Sequence, residues 1–550
     1  MRLIHHRFVQ IILILLVASI FRLTNLGTIP SGLHSDEADQ GYIAYSLLKT
    51  GHSPYGDNNI FAIREAWGGS RMPLYIYSAM PAIALFDLTI FAVRLPSAIY
   101  GILSVLLLYL ILERIRISRL AAFLSAMLFA VNPWSVHISR QALLESIALF
   151  FVLAGFYFFL LASKRWVYLI LSVTCFVASI FSYDAPKIFL PPFIILLVFI
   201  YRHEFKTLQE RLKIALFICL FVAGYLVMIF TSFVNLQSKD FGQVSIFNAS
   251  KISDQVIYER NNTLAPEWLS RITHNKVTVS MEKFAASYFK SFSINYLFVN
   301  GYGNLQLSTS RVGQYHFFMF PLFFIGLAYI LLGKVKKGFV YIWWMFFGAL
   351  PGGLTDGNYP YRSVLMLPAI TIISAHAMDK TIEYLASVSK KMRVVAISLI
   401  SIVVFISVSR FIIIYFYDYP AYASEWWAKE QNQVIRQVIT DRDKYPLIFI
   451  DGAWASSYAF FARTDPTIFK NEMNKISDFK GVQVKQLDNV IFGNFQDILH
   501  SDVSLDTFFP VGSQIVVEGK IRPLMRAERN FYNVNGDKIV FKQIHIQKQQ

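Results

Sequence analysis

The 550-residue chain is short of charge, short of acids and nearly without cysteine, and each shortage removes a class of protein. Only 16% of its residues are charged, against about a quarter in a soluble globule, so a fold solvated on every side is excluded. Cys175 and Cys219 both fall inside apolar runs, which leaves no disulfide framework and no Cys-x-x-Cys metal or redox motif. His137 has no second histidine or cysteine at metal-ligand spacing, so no divalent metal is expected and no cofactor is required. Internal repeats, heptads and low-complexity tracts are missing too.

What is there is hydrophobic. Apolar residues make up 55% of the chain and aromatics 16%, and the mean hydropathy is +0.46. The expected fold class is therefore mainly α, a polytopic membrane protein. Acids number 35 against 51 bases, a net charge of +16. A nucleic-acid partner would need a basic face with aromatic readers on a soluble fold. The excess is better read as cytoplasmic loops that set topology.

Apolar runs of spanning length fall at about 8–23, 94–112, 119–136, 142–162, 166–182, 186–201, 212–233, 315–333, 338–350, 361–378 and 394–417, some eleven helices. Arg2 and Arg7 ahead of the first run imitate a signal peptide, but no small-residue cleavage site follows, so a retained helix is expected. With the N-terminus in the cytoplasm, eighteen lysines and arginines lie in inner loops, against Arg140, Lys187 and Arg362 in the short outer turns. This predicts a multi-pass protein of the plasma membrane, with outer loops at 24–93 and 234–314. Met72 to Leu88 is read as a helix in the outer interface, anchored by Tyr75 and Tyr77, because a span there would invert the loops that follow. A transmembrane domain over 1–417 would then be followed by an extracytoplasmic α/β domain over 418–550. In that tail Glu425 to Thr440 has helical spacing, and 446–450, 513–517 and 538–546 read as strands.

Four outer segments carry polar chemistry. The first is His34-Ser-Asp36-Glu37-Ala-Asp39 with Arg71 downstream, where a carboxylate can serve as general base and an arginine can pair with phosphate. The second runs from Asn132 through His137 and Arg140 to Glu145. An ionisable residue at the head of an apolar helix is a functional candidate, the alternative being a structural pair of Glu145 with Arg140. The third and fourth are the turns around Tyr183-Asp184-Ala-Pro-Lys187 and Thr355-Asp356-Gly-Asn358-Tyr359-Pro-Tyr361-Arg362, whose blander reading is as interfacial anchors. Acids, tyrosines and single cations on one face imply a cleft.

His34-Ser-Asp36-Glu37, Arg71-Met-Pro73-Leu-Tyr, Arg94-Leu-Pro-Ser-Ala and Ile138-Ser-Arg140-Gln-Ala-Leu-Leu-Glu145 resemble, in order and spacing, the GT-C membrane glycosyltransferases of protein O-mannosyltransferase type. Bacterial lipid A aminoarabinose transferase belongs to the same wider group. The similarity is clearest over residues 20–200, extends through 380 and fades beyond. The resemblance implies an enzyme that takes sugar from a polyprenyl-phosphate donor, with Asp36 as base, Glu37 beside it and Arg71 on the lipid phosphate. Met72 stands where the family often has a second proline, and Glu145, where several relatives have Asp, would line the acceptor side. Arg362 as a further phosphate partner is inferred from position alone. Protein, lipid or glycan hydroxyls are the acceptors to expect, with inversion at the anomeric carbon. Two other readings stand beside this one: a flippase for lipid-linked sugar, and a sensor whose tail binds partners. Transporters usually show repeats and broken helices with polar groups near the midplane, which this chain lacks.

Overall fold

A computed structural model describes residues 6–56, 63–65, 70–162, 165–205, 207–234, 245–355, 359–451, 454–473, 477–479, 482–494, 514–518, 527–532, 536 and 539–545. Asp356 and Asn358 of the fourth outer turn lie outside these residues, as do 513, 538 and 546 at the edges of the expected strands. The fold is mainly helical with one mixed sheet, and it divides into two compact units. The first holds Met1–Thr24 and Ser97–Ile414; the second holds Asn25–Pro96 and Tyr415–Gln550. The units are thus not drawn by a single cut at 417, because the stretch after the first helix groups with the C-terminal segment.

Helix is found within the apolar runs, though 119–136 is broken between Ala130 and Pro133 and 361–378 becomes helical only from Val364. In chain order the helices that matter below are α1 (Arg7–Leu23), α2 (Ser35–Thr50), α3 (Pro73–Phe86), α4 (Ile90–Arg114), α5 (Arg119–Ala130), α6 (Pro133–Ile138), α7 (Glu145–Leu161), α8 (Val167–Ile180), α9 (Ala185–Tyr201) and α10 (Leu208–Val234). Among the described residues four helical stretches are long and apolar enough to cross a membrane: Ile90–Arg114, Ala185–Glu204, Leu208–Thr231 and Lys390–Tyr422. Others, such as Glu145–Leu161 and Met319–Leu331, are apolar but shorter. Short spans are tenable where neighbours cover the helix ends, since a free-standing helix needs about 20 residues to reach across the hydrocarbon.

The first unit is a helical core held by large side chains. Trp344 lies against Phe156 and Phe193, with ring centroids 4.9 and 4.8 Å away, and its Nε1 donates to the Leu365 carbonyl. Helices α7 and α8 approach closely at Gly155, where a Cβ would sit 2.5 Å from the Phe176 ring. Only glycine admits that approach. Local signals set the ends: Ser118 accepts from Ala121 N to start α5, and Asn132 accepts from Ser135 N, with Pro133 in the first turn, to start α6.

The second unit joins parts that lie far apart in sequence. Helix α2 is followed by a short antiparallel pair, β1 (Ile63–Arg64) and β2 (Ser70–Arg71), and then by α3. Tyr77 of α3 is exposed, but Tyr75, expected beside it as an interface anchor, is buried and donates to the Val93 carbonyl at 2.8 Å. A phenol placed inward needs such an acceptor. The C-terminal segment forms β3 (Ile448–Asp451), β4 (Ser477–Phe479), β5 (Val482–Leu487), β6 (Val490–Gly493), β7 (Gln514–Glu518), β8 (Ala527–Tyr532) and β9 (Ile539–His545). Their order is β4-β5-β6-β3-β7-β9-β8, with β3 parallel to β6 and β7 and the remaining pairs antiparallel. The expected helix is found at Lys429–Asp441, with Val434, Ile435 and Val438 buried.

Asn432 on that helix accepts from Leu33 N at 2.6 Å and donates to Leu33 O at 3.2 Å, satisfying both backbone groups of a residue 399 positions away. Gly32 lies so close that a Cβ there would be 2.1 Å from the Trp427 carbonyl. The chain just ahead of α2 is therefore set by the tail of its own unit.

Candidate functional site

Helix α2 begins at the acidic stretch, and its first turn is capped from both directions. His34 Nδ1 accepts from Asp36 N at 3.3 Å, while Glu37 accepts from His34 N at 3.2 Å. Acids in a first turn also suit the helix dipole. At 3.6 residues per turn, Asp36 and Asp39 share one face and Glu37 points elsewhere. The helix thus sorts its three carboxylates between two arginines.

Glu37 meets Arg94 in a pair whose side chains are both 0% exposed, with bonds of 2.9 and 2.7 Å. Arg94 also donates to the carbonyls of Leu26, Pro30 and Gly32, and its guanidinium lies 5.6 Å from the Trp427 ring centroid. This arrangement ties the loop ahead of α2 to its first turn. The Glu37 carboxylate, expected beside the base, is fully buried against Arg94.

Asp36 and Asp39 meet Arg71 instead. The Arg71 guanidinium lies 2.7 Å from Asp36, 3.0 Å from Asp39 and 2.7 Å from Glu65. Strand pairing accounts for Glu65: β1 sets Ile63 opposite Arg71, and Glu65 follows the same strand. A cation already stands at the centre of this acid trio, and it is the guanidinium. Among the described residues no group of three His, Cys, Asp or Glu is disposed to hold a metal ion.

The trio is graded in exposure. Asp39 is 0% exposed, Arg71 and Glu65 are 12% exposed, and Asp36 is 40% exposed. Burial works to raise the Asp36 carboxyl, but Arg71, with a smaller contribution from His34, outweighs it and holds Asp36 below its ordinary value. For Asp39 burial wins over Arg71, and the carboxyl is raised. Tyr55 faces Asp39, and burial with that neighbouring acid lifts its phenol well above its ordinary range. The result is an ionised carboxylate at the opening with a weaker acid behind it. Tyr55 and Glu65 gave no signal in the sequence, because only the β1–β2 turn and the tertiary fold bring them to α2.

The other three polar turns belong to the helical unit and meet within it. Glu145, at the head of α7, is hydrogen-bonded to Tyr183, whose phenol burial and that carboxylate push well up; the charge of Arg362 opposes them. The Arg362 guanidinium lies 4.7 Å from the Tyr359 ring centroid. Tyr361 donates to Gln141 Oε1 at 2.8 Å and to the Gln306 carbonyl at 3.2 Å. His137 Nε2 lies 2.9 Å from that same carbonyl, so Nε2 carries the proton, and burial holds the ring down to about 4 and hence neutral. Gln141, inside the Arg140–Glu145 motif, and Gln306 carry no sequence signal for these contacts.

Two residues of this group are committed elsewhere. Arg140 is buried and donates to the carbonyls of Phe21 and Thr24 at 2.9 and 2.7 Å, closing the C-terminal end of α1. Lys187 pairs with Asp184 at 2.6 Å within one helical turn. Both cations have local structural work that their spacing alone did not reveal.

Residues 12–237 match the family model described as dolichyl-phosphate-mannose-protein mannosyltransferase. No curated protein sequence matches the chain. Among solved structures, ArnT from Cupriavidus metallidurans, bound to undecaprenyl phosphate, is similar over 99% of this chain and 100% of its own, at 11% identity and a TM-score of 0.51. The Archaeoglobus fulgidus oligosaccharyltransferase with a tethered acceptor peptide is similar over 83% of this chain at 14% identity and a TM-score of 0.50. The match spans 63% of that enzyme's length. At such identities the likeness concerns the fold. Both acid–arginine pairs of α2 thus lie in the segment that matches the dolichyl-phosphate-mannose-protein mannosyltransferase model, on a fold similar to those of ArnT and the oligosaccharyltransferase.

Proposed function

We propose that this protein is a membrane glycosyltransferase that moves a sugar from a polyprenyl-phosphate donor to an acceptor hydroxyl on the extracytoplasmic face. The observation that carries the reading is the Asp36–Arg71–Asp39 cluster inside the family-matched segment: one ionised, partly exposed carboxylate held at a fixed position. The solved relatives support a lipid-linked donor, one having been seen with undecaprenyl phosphate and the other with dolichol-phosphate.

In this reaction the acceptor oxygen attacks the anomeric carbon, its proton passes to Asp36, and the bond from that carbon to the phosphate oxygen breaks with its electron pair left on the lipid phosphate. One displacement inverts configuration and needs one base. A carboxylate held below its ordinary value is a weak base, so proton transfer accompanies bond formation instead of preceding it. Arg71 aims Asp36 and keeps it charged. Asp39 and Glu65 hold Arg71 in turn, which leaves this guanidinium less available for a lipid phosphate than its sequence context implies. Glu145, Tyr183, Tyr361 and Arg362 form a polar group fit to hold hydroxyls or an anionic headgroup.

The test is turnover in detergent, with no bilayer to cross. Purified protein given a polyprenyl-phosphate sugar and a hydroxyl acceptor should release polyprenyl phosphate and yield a linkage of opposite anomeric configuration. Movement of intact lipid-linked sugar between leaflets of proteoliposomes, with no lipid phosphate released in either setting, would make the protein a flippase.

A further inference from the structure

At the end of the helical unit where α9 gives way to α10, a cavity of about 370 Å³ is lined by Val198, Arg202, His203, Phe205, Arg211 and Ile214. Two helices long and apolar enough to cross a membrane, Ala185–Glu204 and Leu208–Thr231, end and begin here, so the cavity lies at headgroup height on a bilayer. Its chemistry is two-sided. Val198, Phe205 and Ile214 give apolar wall, and Arg202, Arg211 and His203 give nitrogen donors.

The acids nearby are already engaged. Glu204 pairs with Lys337, which also sits 3.6 Å over the Tyr201 ring, and Glu210 accepts from Thr207 N at 2.9 Å. Among the described residues neither Arg202 nor Arg211 has a carboxylate partner. Arg202 is braced instead, 4.5 Å over the Phe199 ring and donating to His203 Nε2 at 3.3 Å. Leu208 and Leu212, one turn apart beside these cations, are exposed, as befits a surface in contact with lipid.

We infer that this cavity binds the anionic headgroup of a phospholipid, separately from any lipid-linked donor. Two guanidinium groups that no described carboxylate neutralises supply the charge that a phosphodiester complements, and the apolar wall suits the glycerol and upper acyl carbons. A free phosphate ion would gain nothing from that wall, which favours the lipid as the source of the phosphate.

Native mass spectrometry of the delipidated full-length protein provides the test, with phosphatidylglycerol as probe, phosphatidylcholine as neutral control and inorganic phosphate as competitor. Wild type should retain phosphatidylglycerol about tenfold or more over phosphatidylcholine, and the doubly substituted Arg202→Gln/Arg211→Gln protein should lose most of that preference. Val198→Trp, which fills the cavity and leaves both cations, should lose it as well. Arg202→Lys/Arg211→Lys should keep a large part of it, which shows that the fold tolerates change there. The inference is overturned if Arg202→Gln/Arg211→Gln or Val198→Trp retains the lipid like wild type. It is overturned too if phosphatidylcholine binds equally, or if inorganic phosphate displaces the lipid and the site is one for the free ion.

Discussion

Two acid–arginine pairs stand on different faces of the first turns of α2, and they differ in one respect: whether water reaches them. Glu37–Arg94 is sealed, with both side chains fully buried and further bonds from Arg94 to three backbone carbonyls. Asp36–Arg71 is open on the side of Asp36, whose side chain keeps 40% of its exposure. Neighbouring residues in sequence therefore receive different duties. A sealed pair stabilises only while both partners remain, whereas an open carboxylate on a braced cation can meet a substrate and exchange a proton.

The largest effect expected from this contrast is on folding. Glu37→Ala or Arg94→Ala strands a buried charge and should lower stability by about 3–5 kcal/mol, read as lost abundance and an earlier melting transition in detergent. The paired substitution Glu37→Leu/Arg94→Met should recover a good part of that loss, since no charge is left stranded. Equal loss in the single and paired variants would contradict the sealed-pair account.

The next largest effect is on chemistry alone. Asp36→Asn should cut lipid-phosphate release by about 100-fold, or some 2.7 kcal/mol of barrier, with melting shifted little because Arg71 keeps Asp39 and Glu65. A smaller effect is expected of Asp39→Asn, which keeps an oxygen for Arg71 and removes a carboxylate that burial disfavours. Its turnover should stay within about threefold of wild type and its melting temperature should be unchanged or higher.

The smallest effects lie in pH dependence, where the two acids differ in sign. Asp36 is lowered by folding, so its stabilising contribution is present above its unfolded value, about 3.9, and fades as pH falls through the folded value. Asp39 is raised, so its contribution is present below the unfolded value and fades as pH rises through the folded one. Melting temperatures measured from mildly acidic to neutral pH should fall less steeply toward neutrality in Asp39→Asn than in wild type. An identical slope in the two proteins would remove the raised Asp39 from the account.

The sequence made some of this legible and hid the rest for identifiable reasons. Helices such as Arg7–Leu23 and Leu208–Val234 were readable because unbroken apolar runs repeat the same local preference over many residues. The strands at 448–451 and 514–518 were readable from short β-branched and aromatic runs. The number of true spans was less accessible, since packing decides how short a membrane helix can be. Least accessible were pairings over long separations. Nothing near Leu33 announces Asn432, nothing near Arg140 announces the end of α1, and Glu65 reaches Arg71 only through a two-residue strand pair. The Asp-Glu motif marks the first turn of α2, but which acid keeps an exposed face depends on a rotation of about 100° per residue and on what each face meets.

Turnover of a polyprenyl-phosphate sugar by Asp36→Asn and Glu37→Gln, each scaled to folded protein, tests the central claim most directly. The account predicts that Asp36→Asn is folded but about 100-fold slower, while the Glu37→Gln molecules that fold turn over at near wild-type rate. Full activity in Asp36→Asn, or loss of chemistry in well-folded Glu37→Gln, would contradict it.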